Sequence, residues 1–170
     1  MMKRTCTILL LAALLLLAGC RASQLFTAQS AGLPPQACPV TVQPDDPFIP
    51  PDPWPATSPD PGRFWYGNPE LWTALPLSGS WPQLANGDKF WLWSEQFDVH
   101  QDETPDFTLT AERLDAAAPT FRSDETTNGY HESWHWAMLT GVELPSPGCW
   151  QFEVTYKGHQ LEFVVQVPEQ

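Results

Sequence analysis

Residues His131-Glu132-Ser133-Trp134-His135 spell H-E-x-x-H. On a helix, two histidines four apart share one face and can bind zinc, with the intervening glutamate placed as general base. The surroundings argue against that helix. Asn128-Gly129 precedes the motif and Leu139-Thr140-Gly141-Val142 follows it, while Met138 stands where an extended zinc-protease motif has glycine. A downstream third ligand would have to be Glu143, Glu153 or Glu162, and the last two fall in strand-like runs. The expectation is therefore exposed loop histidines and no metal or other cofactor. The alternative is a small zinc-dependent hydrolase using His131 and His135 as ligands and Glu132 as base. On a strand, positions 131, 133 and 135 point to one side, and His135 with Met138 would suit copper. A histidine pair on an acidic β-protein is ordinarily just surface.

The tryptophans carry a second kind of chemistry. Trp91 and Trp93 share one face of their run, and Trp134 and Trp136 share one face of theirs. Paired exposed aromatics beside acidic residues are a usual way to stack on sugar rings, which makes a carbohydrate-binding module a further alternative. Core filling is the ordinary explanation, because eight of the nine tryptophans lie from Trp65 onward. Asp98, Asp102, Glu103 and Asp106 could gather around calcium. They lack the glycine and terminal glutamate of an EF-hand loop and read as a solvated acidic loop. There is no phosphate-binding glycine loop, no dinucleotide fingerprint and no G-x-S-x-G elbow.

Charge narrows the partners. The chain has 170 residues and a formal charge of −12, from 8 basic and 20 acidic side chains. So few cations cannot neutralise a run of phosphates, which excludes nucleic acid, and no polybasic patch could hold anionic lipid. The length allows one globular domain with a tail.

The elements that must position these residues begin after a targeting segment. Lys3 and Arg4 open it, Ile8 to Leu17 form a short apolar run, and Leu17-Ala18-Gly19-Cys20 ends it with small residues. The run is too short for a stable spanning helix. The ending is similar to the bacterial lipoprotein signal, whose cysteine is acylated and becomes the first mature residue; an ordinary secretory signal is the alternative. That resemblance implies a signal peptide at 1–19 and attachment to the membrane through acyl chains on Cys20. The domain would then face the periplasmic or extracellular side of a bacterial membrane. Arg21, rather than Asp, follows the cysteine and favours delivery to an outer membrane where one exists. Cleavage removes both early cations and leaves 151 residues at a charge of −14.

Residues 20–63 read as lipidated cysteine, flexible tether and proline-rich strap, and residues 64–170 as the domain. Twelve of the 19 prolines fall between residues 34 and 69, so that stretch is extended, a spacer or a strap over the surface. Phe48, Ile49 and Trp54 are apolar enough for part of it to pack down. Thereafter short alternating runs dominate: Leu71–Leu75, Lys89–Trp93, Phe107–Ala111, Trp150–Tyr156 and Leu161–Val167. The last two make a hairpin with Trp150, Phe152, Val154, Tyr156, Leu161, Phe163, Val165 and Val167 on one face. Polar residues fill the other face, the signature of an antiparallel sheet packed on a second sheet. The fold class expected is all-β, an antiparallel sandwich preceded by the proline-rich segment.

Cys6 leaves with the signal and Cys20 carries lipid, so Cys38 and Cys149 remain for a disulfide in an oxidising envelope, or as two separate buried thiols. Cys149 lies on the polar face of its strand, so a bridge would clip the strap to the outside of the sandwich.

Several of these segments together resemble a recurring, uncharacterised group of bacterial secreted proteins and lipoproteins. They are Cys38-Pro-Val-Thr41, Tyr66-Gly-Asn68 leading into Leu71-Trp-Thr-Ala-Leu-Pro76, Leu109-Thr-Ala-Glu-Arg-Leu-Asp-Ala-Ala-Ala-Pro119, and Pro147-Gly-Cys-Trp150. The likeness covers roughly residues 38 to 168. It implies an immunoglobulin-like domain and no established activity, and it does not include Tyr130 to Trp136. The functional expectation is a lipid-anchored, non-catalytic binding or structural module whose partner is a protein or a polysaccharide.

Overall fold

The structure is a computed structural model that describes residues 37–58, 60–123 and 125–169. The signal segment, Cys20 and the tether up to residue 36 lie outside the described residues. The described residues form one compact unit, so strap and sandwich belong together.

Among the described residues nine strands build it: β1 (Arg63–Asn68), β2 (Leu71–Pro76), β3 (Asp88–Leu92), β4 (Phe107–Arg113), β5 (Phe121–Ser123), β6 (Thr126–His131), β7 (His135–Val142), β8 (Gly148–Tyr156) and β9 (His159–Val167). Among the described residues the one helical piece is a 3₁₀ turn, Pro82–Ala85. All ladders pair antiparallel. One sheet runs β5-β4-β8-β9, a second runs β3-β7-β6, and the β1-β2 hairpin joins the second through a bridge between Trp72 and Trp93. The result is an all-β sandwich.

Alternation along the strands fills the space between the sheets. Phe90 and Leu92 of β3 and Met138 and Val142 of β7 face Leu109 and Ala111 of β4 and the apolar face of β8 and β9. Phe152 lies directly across from Phe163 with rings 5.0 Å apart, and Phe90 from the opposing sheet sits 5.7 Å from Phe163. Fully burying each such ring contributes about 1.5–3 kcal/mol. The β8-β9 hairpin turns on Lys157 and Gly158, both at positive φ, as a two-residue loop that continues the twist of its strands requires.

The resemblance segments have structural tasks. Asn68 Oδ1 accepts the amides of Glu70 and Leu71 and closes the β1-β2 turn. Arg113 ends β4 by donating to Asp115 and Ser146, and its guanidinium lies where a Cβ on Gly148 would be, 2.3 Å from Nε. The Arg113 hydrogen bond holds the Asp115 carboxyl below the usual carboxylate range.

Cys38 and Cys149 are bridged, with Cα atoms 5.4 Å apart. Cys149, on the outward face of β8, is buried all the same, because the bridge lays the strap against it. The strap then runs beside β9: Thr41 donates its amide to Val164 O and accepts the Val164 amide on Oγ1, both at 2.8 Å. Gly79 and Trp81 serve Gln166 in the same way. The outer edge of β9 is thus occupied rather than open to pairing with another chain.

Candidate functional site

β2 and β3 meet only briefly. Trp72 and Trp93 exchange both backbone hydrogen bonds at 2.9 Å, which points the amides and carbonyls of Ala74 and Trp91 across the same gap. The ladder does not continue there. Instead the Thr73 hydroxyl donates to Trp91 O at 2.8 Å, and Arg63 Nη1 donates to Ala74 O at 3.0 Å. The strands part beyond this point, and a pocket of about 200 Å³ occupies the opening. Thr73 and Ala74 of β2 and Lys89 and Trp91 of β3 line it, together with Trp93, Trp65, Trp81, Arg63, Asp88, Ser58, Asp60 and Trp134.

The pocket belongs to an aromatic layer on the outer face of the second sheet, away from the central core. Alternation along β1, β2 and β3 sends Trp65, Trp72, Trp91 and Trp93 outward while Phe64, Leu71, Phe90 and Leu92 point in. The strap covers part of this layer: Phe48 and Trp54 pack on Trp72 with ring centres 5.6 and 5.1 Å away. Ile49, expected to pack down with them, stays 62% exposed. Trp65 donates its indole N–H to Pro55 O and so ties the strap to β1.

Trp134 completes the layer from the tip of the β6-β7 hairpin. Its ring stands edge-on to Trp91 at 5.0 Å and to Trp93 at 6.1 Å, and its carbonyl accepts the Trp93 indole N–H. Trp134 and Trp136 do not share a face, contrary to the sequence expectation. Trp134 lies in the turn, whereas Trp136 alternates with outward-facing Ala137 and leaves the layer, 41% exposed and paired with Tyr130. Of the four tryptophans singled out from sequence, the pocket therefore gathers Trp91, Trp93 and Trp134. The contribution of Trp65, Trp81 and the strap carried no local sequence signal, since it arises from long-range packing.

Buried polar atoms without a partner gather in this layer too. Among the described residues they are the indole nitrogens of Trp54, Trp72 and Trp134 and the hydroxyl of Ser58. Such groups are rare in folded proteins, and each costs about 1–3 kcal/mol. The charged lining, by contrast, is largely engaged. Arg63 pairs with Asp60 at 3.1 Å and lies 4.2 Å over the Trp81 ring, and Asp88 accepts the Trp81 indole at 3.0 Å. Burial lowers the Arg63 pKa, while Asp60 and Asp88 act in the opposite direction.

The H-E-x-x-H residues form no helix. His131 and His135 face each other as the last register pair of the β6-β7 hairpin, and Glu132, Ser133 and Trp134 make its turn. The turn closes by Trp134 N–H to His131 O, and His135 follows at φ 58°, a left-handed position that histidine tolerates better than most residues. The helical face that zinc ligation by His131 and His135 requires, with Glu132 beside it, is therefore missing. His131 Nδ1 accepts the Ser133 amide, and its ring lies 4.8 Å from Trp134. No group of three His, Cys, Asp or Glu side chains among the described residues could hold a metal ion. The acidic loop is occupied internally: Asp98 accepts the His100 amide and the Gln101 side chain, and Asp102 accepts the Tyr156 hydroxyl.

Two broader depressions, of about 640 Å³ each, lie beside the strap and beside β5. Neither combines stacked tryptophans with unpartnered donors. Compared with protein-family models, curated proteins and solved structures, this chain matches none of them.

Proposed function

We propose that this protein is a lipid-anchored component of the bacterial cell envelope, held by acyl chains on Cys20 and exposed on the periplasmic or extracellular side. Its immunoglobulin-like sandwich acts as a non-catalytic binding module whose ligand enters the tryptophan pocket between β2 and β3. One observation carries this reading: the unpartnered buried polar side chains named above all belong to the strap and the outer aromatic layer, and two of them, Ser58 and Trp134, are among the residues that line the pocket. A layer built only for packing has no use for donors left without acceptors. The non-catalytic part rests on the lining. Its hydroxyls belong to Ser58 and Thr73, no histidine stands beside them, and Asp60 and Asp88 already accept hydrogen bonds or pair with Arg63. The Pro147-Gly148 turn, with the Trp150 indole donating to Ser146 O at 3.0 Å, supports the immunoglobulin-like comparison.

A screen of small ring fragments by protein-observed NMR, with the tryptophan indoles labelled, tests the binding site. The reading expects fragments carrying an acceptor to move the Trp134 and Trp91 indole signals together. A screen in which hits move only Trp136, or no indole at all, would rule it out.

A further inference from the structure

We infer that the pocket takes a single uncharged sugar ring, a pyranose with free hydroxyls, either as a free sugar or as the end of a glycan; this rests on the binding-module reading. Size comes first. A cavity of about 200 Å³ is below the roughly 300 Å³ at which drug-sized ligand sites begin, so it holds one ring with its substituents. The walls come next. Trp91 and Trp134 stand perpendicular at 5.0 Å and Trp93 stacks near Trp91 at 6.3 Å, which presents indole surface to a ring with an apolar face.

The polar requirements then separate the ligand classes. The Trp134 indole can only donate, so its partner must bring an acceptor. A sugar hydroxyl does, and the Ser58 hydroxyl can donate to or accept from another. A quaternary ammonium brings no acceptor. It would also meet Arg63 and Lys89 in the lining, and Arg63 already covers the Trp81 ring. An anionic sugar or phosphate meets Asp60 and Asp88 and a chain of formal charge −12. The lining itself carries two cations and two carboxylates, which balance. Access sets a condition. Ser58 and Trp134 sit on the strap and the hairpin tip, not on the sheet, and their polar atoms are closed off in this arrangement. The inferred ring therefore requires the strap and the hairpin tip to part before it reaches either atom.

Calorimetric and NMR titrations of the chain from residue 20 onward, without lipid, test the inference. The probes are the methyl glycosides of glucose, galactose, mannose and N-acetylglucosamine. Methyl glucuronide and tetramethylammonium serve as charged comparators, and neutral hexasaccharides form a separate arm. At least one neutral glycoside should bind with Kd on the order of 1 mM, as expected for about twelve non-hydrogen atoms, and should move the Trp134 indole proton. Tighter binding of a hexasaccharide than of its monomer identifies a glycan end, and equal binding a free sugar. Trp134→Phe keeps a ring and removes the donor, so it should weaken binding about tenfold while leaving the unfolding midpoint unchanged or raised. Trp136→Ala, outside the pocket, should bind as the parent does. Binding of fragments or tetramethylammonium without any neutral glycoside overturns the sugar assignment and leaves the binding module standing. Undiminished glycoside binding by Trp134→Phe overturns the assigned site. Silence from every probe overturns both readings.

Discussion

Replacing Cys38 and Cys149 together by alanine removes a covalent link between residues 111 apart in sequence. The bridge acts mainly on the unfolded chain, whose ends it holds together. For a loop of that length the chain-entropy relation gives about 4.8 kcal/mol at 25 °C. That is a large part of the 5–15 kcal/mol typical of a whole domain. The native state should change little apart from the strap, because Thr41 still pairs with Val164 and Phe48 and Trp54 still pack on Trp72. With a urea slope of about 2 kcal/mol/M, the midpoint should fall by roughly 2.4 M. Urea unfolding followed by tryptophan fluorescence reads this directly, and dithiothreitol on the parent protein should reproduce the shift. A loss under about 0.5 M would refute the loop-entropy reasoning, and two titratable thiols in the oxidised protein would refute the bridge itself.

Two contacts and the acyl anchor carry the remaining outcomes. Gly148→Ala must place a Cβ against Arg113 at φ +149°, so it should lower stability by about 1–3 kcal/mol in the same urea assay; an unchanged midpoint would contradict the packing described. Tyr156 has its pKa raised by burial and then by Asp102, so the folded state favours the neutral phenol. Its contribution is full below the unfolded value near 10 and declines as pH rises beyond it, a slope that Tyr156→Phe should abolish at a cost of about 1 kcal/mol at neutral pH. Mass spectrometry of the N-terminal peptide of the cell-borne protein should find Cys20 as its first residue carrying acyl chains, and an unmodified Cys20 would remove the acyl anchor.

Much of the sandwich was legible because local alternation and burial coincide. Leu71–Leu75, Phe107–Ala111 and the Trp150–Val167 hairpin read directly as strands, and each has its apolar face in the core. The outer aromatic layer was only half legible. Trp91 and Trp93 alternate on β3 in plain view, but their neighbours Trp65, Trp54 and Ser58 come from elements that local pattern cannot bring together. Asn128-Gly129 shows the same limit. It looks like a turn, yet it lies inside β6, where Gly129 leaves room for Leu139 at a distance that excludes a Cβ. The turn falls four residues later, which is why Trp134 and Trp136 part company.

The indole proton of Trp134 distinguishes a ligand site from a second core. If the outer tryptophan layer is a ligand site, that proton has no acceptor in the isolated protein and should move downfield when a neutral glycoside is added to saturation, with the Trp91 signal moving alongside it. If the layer is only a second core, the Trp134 signal will stay fixed at saturating glycoside, or already sit where a hydrogen-bonded indole resonates, and the pocket is then no ligand site.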